Sequence, residues 1–213
     1  GGAGLSENEK YLLGLSKKGD VKAFEMLMEK YQKKVFNIAL RLLGNHDDAS
    51  EVTQEVFVKI FKSMGSFKGE SQISTWIYRI ATNTCLDELR KRKKKWIMSL
   101  DEEYHSENGD YIRQVEDNKP TPDVILEQKT LKTALNNAIE KLPDKYKLII
   151  VLRDIQGFSY EQISDIVKTP VGTVKSRINR ARLQLKEIIL KERELFSDNF
   201  VKDIERGAGD EKM

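Results

Sequence analysis

Apolar residues recur every three or four positions along most of this chain, and each such run predicts an amphipathic helix. Val21, Phe24, Leu27, Tyr31, Val35, Ile38 and Leu42 form the first long stripe. Gly44 and Asn45 end it: glycine takes a left-handed cap without a Cβ penalty, and Asn45 caps the helix that follows. Asp47 and Asp48 fall in that helix's first turn, where they oppose its dipole. Val52, Val56, Ile60 and Met64 stripe its buried side, with Phe57 and Phe61 beside them. Residues 65–72 are rich in Gly and Ser and read as a loop. A further helix follows over 73–95, with Trp76, Ile77, Ile80 and Cys85 near its buried side. At that spacing the Trp76 indole is assigned to the core.

The period then lapses. Residues 96–122 are acidic, hold Gly109, Pro120 and Pro122, and read as a linker. It resumes with Leu131, Leu135, Ala138 and Leu142, and Pro143 stands where the next helix begins. Tyr146, Ile149, Ile150 and Leu152 carry the pattern to Gly157. Ser159 and Gln162 have the spacing of a capping box, which opens a short helix with Ile163, Ile166 and Val167 inward. Thr169 and Pro170 mark a turn. Val171, Val174, Ile178, Ala181, Leu185 and Ile188 stripe the last helix. Phe196, Phe200 and Ile204 have helical spacing within a tail, 196–213, that is a short extra helix or a frayed end. The expected fold is all-α: two small helical domains, 5–95 and 123–195, joined by the acidic linker.

Composition sharpens this picture. Of 213 residues 39% are apolar, enough for a modest core, and 33% are charged, above the usual quarter. The net charge of +3 conceals a strong asymmetry. Arg90, Lys91, Arg92, Lys93, Lys94 and Lys95 run consecutively, the next stretch is acidic, and basic residues return between Lys168 and Arg193. Such patterning points to a polyanionic partner. The single cysteine, Cys85, forbids an internal disulfide and fits a reducing cytosol. No apolar run approaches the ~20 residues that span a bilayer, and no signal-peptide pattern is present, so a cytoplasmic location without membrane insertion is expected. An enzyme has little to stand on. His46 and His105 are the only histidines and make no metal cluster with Cys85, and no Gly-rich phosphate loop occurs, so neither cofactor nor catalytic residues are expected.

The short capped helix, turn and basic helix over 159–182 match a helix-turn-helix, whose second helix enters the major groove. Its outward positions are Thr173, Lys175, Ser176, Arg177, Asn179 and Arg180. Lys and Arg read guanine or hold phosphate, Asn reads adenine, and Ser and Thr serve either.

The segments Phe158–Ser164 and Pro170–Arg182 closely resemble the region 4 signature of extracytoplasmic-function sigma factors, in the sigma-70 family. Asp48–Phe57 resembles the segment of their region 2 that docks on the β′ clamp helices of RNA polymerase. Phe67–Ser71 and Ser74–Thr84 resemble the loop and helix that open and read the −10 element. The likeness covers about 8–191 in family order.

The resemblance implies an alternative sigma factor that brings core polymerase to a promoter. It implies −35 contacts by Thr173, Lys175, Ser176, Arg177, Asn179 and Arg180, and −10 contacts by Phe67, Lys68, Gly69, Ser71, Asn83, Asp87 and Arg90. Asp87 has a second reading, as an ion-pair partner of Arg90 on the same helix face. Polymerase contacts fall to Asp48, Glu51, Gln54, Glu55 and Phe57. The implied partners are core RNA polymerase, through its β′ clamp helices and β flap, promoter DNA and an anti-sigma factor. The linker is expected to thread the polymerase cleft, its carboxylates mimicking a nucleic-acid backbone. The basic run is expected to present about three cations to one duplex, for a salt slope of roughly −3. The alternative is a conventional helix-turn-helix regulator that binds an operator without polymerase.

Overall fold

The structure, a computed structural model, describes the backbone of residues 5–100 and 135–207 and the side chains of 5–94 and 135–191. The fold is all-α, with no strand among the described residues. Helix α1 spans Glu7–Lys17, α2 Val21–Leu43 and α3 His46–Ser63. A 3₁₀ turn, Met64–Ser66, and a loop lead to α4, Ile73–Leu100. Then come α5 (residues 135–140) and α6, Asp144–Ile150, which runs into a π-helical turn at Val151–Ile155. α7 is Tyr160–Val167 and α8 is Val171–Gly207. The acidic linker beyond residue 100 and Leu131 lie outside the described residues, as do the side chains of Phe196, Phe200 and Ile204.

Helix boundaries follow local hydrogen bonding. Ser6 and Glu9 form a reciprocal capping box at α1, with the Ser6 amide donating to Glu9 Oε2 at 2.8 Å. The Asp20 carboxylate accepts from the Ala23 amide at 3.0 Å and starts α2. Gly44, at φ 75°, ends α2 in the left-handed region, and the Asn45 side chain then accepts from the amides of Asp47 and Asp48 to open α3. Each cap satisfies amides or carbonyls that a helix end otherwise leaves unpaired, worth about 1 kcal/mol apiece.

One compact unit takes residues 5–100 with 144–178, and a second takes 135–143 with 179–207. In the first unit a continuous apolar cluster is built from Leu27, Ile38 and Leu42 of α2, Val56 and Ile60 of α3, and Ile77 and Ala81 of α4. The same cluster takes in Ile149, Leu152, Phe158, Ile163, Val174 and Ile178. In the second unit Ala138, Ile139, Leu142 and Ala181 are buried.

Several stripe positions depart from the sequence pattern. Val21 is 53% exposed because it is the first residue of α2, with no preceding turn to cover it. Leu135 is 42% exposed. Trp76 is half-buried, packed on the core edge. α4 runs past Lys95 to Leu100, into the first residues of the segment read as a linker, and α8 is continuous to Gly207, through most of the segment read as a tail. The π-helical turn has no counterpart in the sequence pattern. Its register is fixed by the Gln156 amide donating to the Val151 carbonyl at 2.9 Å.

Candidate nucleic-acid and polymerase interface

The helix-turn-helix forms as its residues dictate. At the start of α7 the Ser159 amide donates to Gln162 Oε1 at 2.9 Å and the Gln162 amide donates to Ser159 Oγ at 3.1 Å, a complete capping box. Lys168 ends α7 in the left-handed region at φ 52°, a conformation disfavoured for a residue with a Cβ. The turn is held regardless: Ser164 Oγ donates to the Thr169 carbonyl at 2.6 Å, and the Thr169 amide returns a bond to the Ser164 carbonyl at 3.2 Å. Ile163, Ile166, Val174 and Ile178 bury the inner faces.

Along α8, Thr173, Lys175, Ser176, Asn179 and Arg180 are exposed and Arg177 is half-buried. Ser176 Oγ donates to the Thr173 carbonyl at 3.0 Å, which leaves its oxygen lone pairs outward. Tyr160 is a support that sequence reasoning missed. Its ring is stacked by the Arg153 guanidinium, 4.5 Å from the ring centre, and approached by the Lys175 ammonium at 5.7 Å. Arg153 is itself anchored, donating Nη1 to the Phe158 carbonyl at 2.8 Å. Glu161 has its carboxyl held below the ordinary range by its own backbone amide and the Ser159 hydroxyl, with smaller help from Lys175 and Arg153.

In the 65–72 loop, Phe67 is only 6% exposed: its ring lies 5.1 Å from Trp76, and the Lys17 ammonium sits 5.4 Å above it. Lys68 and Gly69 are exposed, Gly69 at φ 78°, and Ser71 is half-buried. On α4, Asn83, Asp87 and Arg90 are exposed, and their spacing of four and three places them on one face. Asp87 is engaged by Arg90, Nη1 to Oδ1 at 2.7 Å.

The basic run is more neutralised than its sequence implies. Besides Arg90, Lys91 pairs with Glu88 at 3.8 Å, Arg92 with Asp48 at 2.8 Å and with Glu88 at 3.1 Å, and Lys93 with Asp144 at 2.7 Å.

On α3, Glu51 and Gln54 are exposed, and Asp48, Glu55 and Phe57 are half-buried. Glu55 pairs with Lys59 at 2.7 Å, and Phe57 leans on the core. Val58 is 51% exposed, four residues after Gln54 and seven after Glu51, and so extends their face. It lies off the Val52–Val56–Ile60 stripe, a signal the sequence offered.

The comparisons bear on what such an arrangement serves. Residues 27–95 match the family Sigma-70 region 2, and residues 132–185 match Sigma-70, region 4. The ECF RNA polymerase sigma factor SigW of Bacillus subtilis (strain 168) is 38% identical over 173 residues, covering 80% of this chain and 91% of that protein. The ECF RNA polymerase sigma-E factor of Escherichia coli (strain K12) is 36% identical over 169 residues, covering 78% and 85%. Among solved structures, the sigma factor RpoE in complex with the anti-sigma factor NepR, from Bartonella quintana, superposes with a TM-score of 0.59 at 24% identity, covering 79% of this chain and 98% of that one. This last likeness concerns the fold alone. The chain belongs to the sigma-70 family, and within it to the ECF RNA polymerase sigma factors. It is therefore an alternative RNA polymerase sigma factor. No helix among the described residues is long and apolar enough to cross a membrane.

Proposed function

We propose that this sigma factor acts in the cytoplasm without chemistry of its own, selecting promoters by binding alone. In this reading residues 5–95 serve as region 2, 96–122 as the connector, 123–195 as region 4 and 196–213 as a tail. The recognition helix α8 meets the −35 element through Thr173, Lys175, Ser176, Arg177, Asn179 and Arg180. The observation that carries this is the exposure of five of them, with Arg177 half-buried, along a helix whose opposite face, Val174 and Ile178, is fully buried. Their chemistry suits base edges and phosphates.

The −10 element is taken by region 2. Asn83, Asp87 and Arg90 offer one polar face of α4 to a single strand, and Lys68, Gly69 and Ser71 border a loop able to receive an unstacked base. Extruding that base costs a few kcal/mol, which the complex with polymerase supplies. Phe67 acts from its buried position as the floor of that loop. Core polymerase docks through its β′ clamp helices on Asp48, Glu51, Gln54, Glu55 and Phe57, and its β flap holds region 4. An anti-sigma factor is the expected antagonist, a reading supported by the sigma–anti-sigma complex among the structural relatives.

Run-off transcription with core RNA polymerase on a promoter library tests this reading. The expected result is initiation at a defined set of promoters only when the chain is added. Tight operator binding by the chain alone, with no effect on start-site choice, would replace it with the conventional regulator.

A further inference from the structure

We propose that α1 forms part of the −10 site, and that Lys17 in its last turn binds the phosphate flanking the unstacked −10 base. The proposal rests on the −10 reading above and adds a helix to it: α1 ends before residue 27, where the match to region 2 begins. All the residues concerned belong to the first compact unit.

The end of α1 is seated against the loop that receives the base. Leu12 and Ser16 are buried on the inner face of α1, and Ser16 Oγ donates to the Leu12 carbonyl at 2.7 Å. Toward its other end Glu9 pairs with Lys30 of α2. The Lys17 carbonyl approaches the 3₁₀ turn Met64–Ser66 so closely that a Cβ built on Gly65 would lie 3.9 Å from it. That turn leads directly into Phe67. The Lys17 ammonium lies over the Phe67 ring, 5.4 Å from its centre, within the range of cation–π attraction. Trp76 packs on the same ring at 5.1 Å. The cation is thereby held above the floor of the loop while Lys17 itself stays exposed.

This charge is uncommitted within the fold. The carbonyls that end α1 are already bonded: the Lys18 and Asp20 amides donate to the Leu15 carbonyl at 2.9 and 3.2 Å, and the Gly19 amide to that of Ser16 at 3.0 Å. The Asp20 carboxylate is occupied by the Ala23 amide. Glu70 is the one carboxylate of the 65–72 loop, and neither Lys17 nor Lys68 pairs with it or with another carboxylate among the described residues. The basic run of α4 contrasts with them, because Arg90, Lys91, Arg92 and Lys93 each hold a carboxylate. Free positive charge therefore stands at the loop, with Lys17 over its floor and Lys68 within it.

Single-strand sites combine cations that follow the backbone with surfaces that take bases. An extruded nucleotide carries its own phosphate to the mouth of the pocket. An ammonium has three donors on a flexible stem, so it can rest on a ring and still donate to a phosphate oxygen. Helix-dipole stabilisation and packing on Phe67 are complete before DNA arrives, so neither makes binding depend on salt at one phosphate. A phosphate contact does: on a single strand it steepens the salt slope by about 0.7, or about fivefold in affinity at about 0.1 M salt and about twofold at about 0.4 M.

The test uses the full chain bound to core polymerase. The probe is a labelled promoter from the run-off library, single-stranded across the −10 element, and anisotropy is read over a salt series. Lys17→Met keeps an apolar stem over Phe67 and loses only the charge. It should bind about fivefold more weakly at about 0.1 M salt and about twofold more weakly at about 0.4 M, with an unmoved thermal midpoint. Lys17→Arg should restore both affinity and slope. Lys33→Met removes an equal charge from an exposed position of α2 and should leave the slope unchanged. A neutral methylphosphonate is then placed at each −10 linkage in turn. At one linkage, beside the base whose abasic replacement costs most, Lys17→Met should add no further loss. A slope unmoved by Lys17→Met, or an equal loss at every linkage, overturns the assignment of Lys17. The −10 reading fails separately: if abasic replacement at no position weakens binding by the unsubstituted chain, region 2 does not take a −10 base, and the role of Lys17 falls with it. Strong dependence on one base, with Lys17→Met indistinguishable from the parent, keeps the −10 reading and removes α1 from the site.

Discussion

Arg92 of α4 binds Asp48 of α3 at 2.8 Å while its Nε holds Glu88 at 3.1 Å, so one guanidinium clamps two carboxylates on different helices. Asp48 sits in the first turn of the helix proposed to dock on polymerase, and Arg92 sits in the middle of the basic run. The pair therefore joins the two proposed surfaces of region 2. Both side chains are about one-third exposed, 34% and 31%, and solvent screens much of the attraction. A double-mutant cycle over Asp48→Ala and Arg92→Ala, followed by urea unfolding, should return a coupling of about 0.5–1 kcal/mol. A coupling near zero would mean that the clamp does not hold α3 to α4.

Unlike Asp48, which Arg92 holds, Glu51 and Gln54 are exposed beside the apolar Val58. Gln54→Ala and Val58→Ser should leave the thermal midpoint within about 2 °C of the parent, since surface changes rarely exceed ~0.5 kcal/mol. Each should weaken capture by core polymerase severalfold, measured by competition against a labelled sigma factor. Unchanged capture by both variants would remove α3 from the docking surface.

On α8 the two kinds of contact separate by their salt response. Lys175→Ala removes a cation held at the surface by Tyr160, and should lower affinity for all −35 sequences while reducing the salt slope by about 1. Asn179→Ala should instead cost about 1–3 kcal/mol on the preferred sequence only, and relax the preference at one base pair. Fluorescence anisotropy with holoenzyme over a salt series distinguishes the two. Equal loss on every sequence for Asn179→Ala would assign it to phosphate.

Some features that depend on residues within four positions were legible from the sequence, although the Ser6–Glu9 box and the Asp20 cap were not read there. The Ser159–Gln162 box, the Gly44 cap and the Asn45 cap need only local hydrogen bonds, and the structure forms all three. The pairing of Asp87 with Arg90, three residues apart, was legible for the same reason. What escaped depends on distant chain. Tyr78 and Phe158 meet across 80 positions, and no periodicity relates them. The basic run reads as free cations because Asp48 and Asp144, two of its acidic partners, come from α3 and α6. Phe67 reads as a loop aromatic, yet the 3₁₀ turn before it directs its ring onto Trp76. Helix faces were thus recovered, and the partners of those faces were not.

Burial also sets the response of region 2 to alkali. Burial pushes the Cys85 thiol from 9.0 up to about 12 and the Tyr31 and Tyr78 phenols from 10.0 up to about 12; nearby Glu55 adds to the first and Tyr78 to the second. In each case the folded chain holds its proton more tightly than the unfolded chain. The unfolded state therefore releases protons first as pH rises, and that release draws the equilibrium toward unfolding. The stability these groups contribute is complete below about pH 9 and is lost between about pH 9 and 12. Urea midpoints should accordingly be flat from pH 7 to 8.5 and fall steadily above pH 9.5, and Tyr31→Phe should blunt the fall above pH 10. Thiol reactivity gives an independent reading. A shift of three units leaves on the order of a thousandfold less thiolate at pH 8, and a buried sulfur is shielded besides. Iodoacetamide should therefore modify Cys85 at pH 8 only after denaturant is added. Rapid modification of the native chain would show that the α3–α4 core opens locally around Cys85, and the alkaline transition would then begin lower than these shifts require.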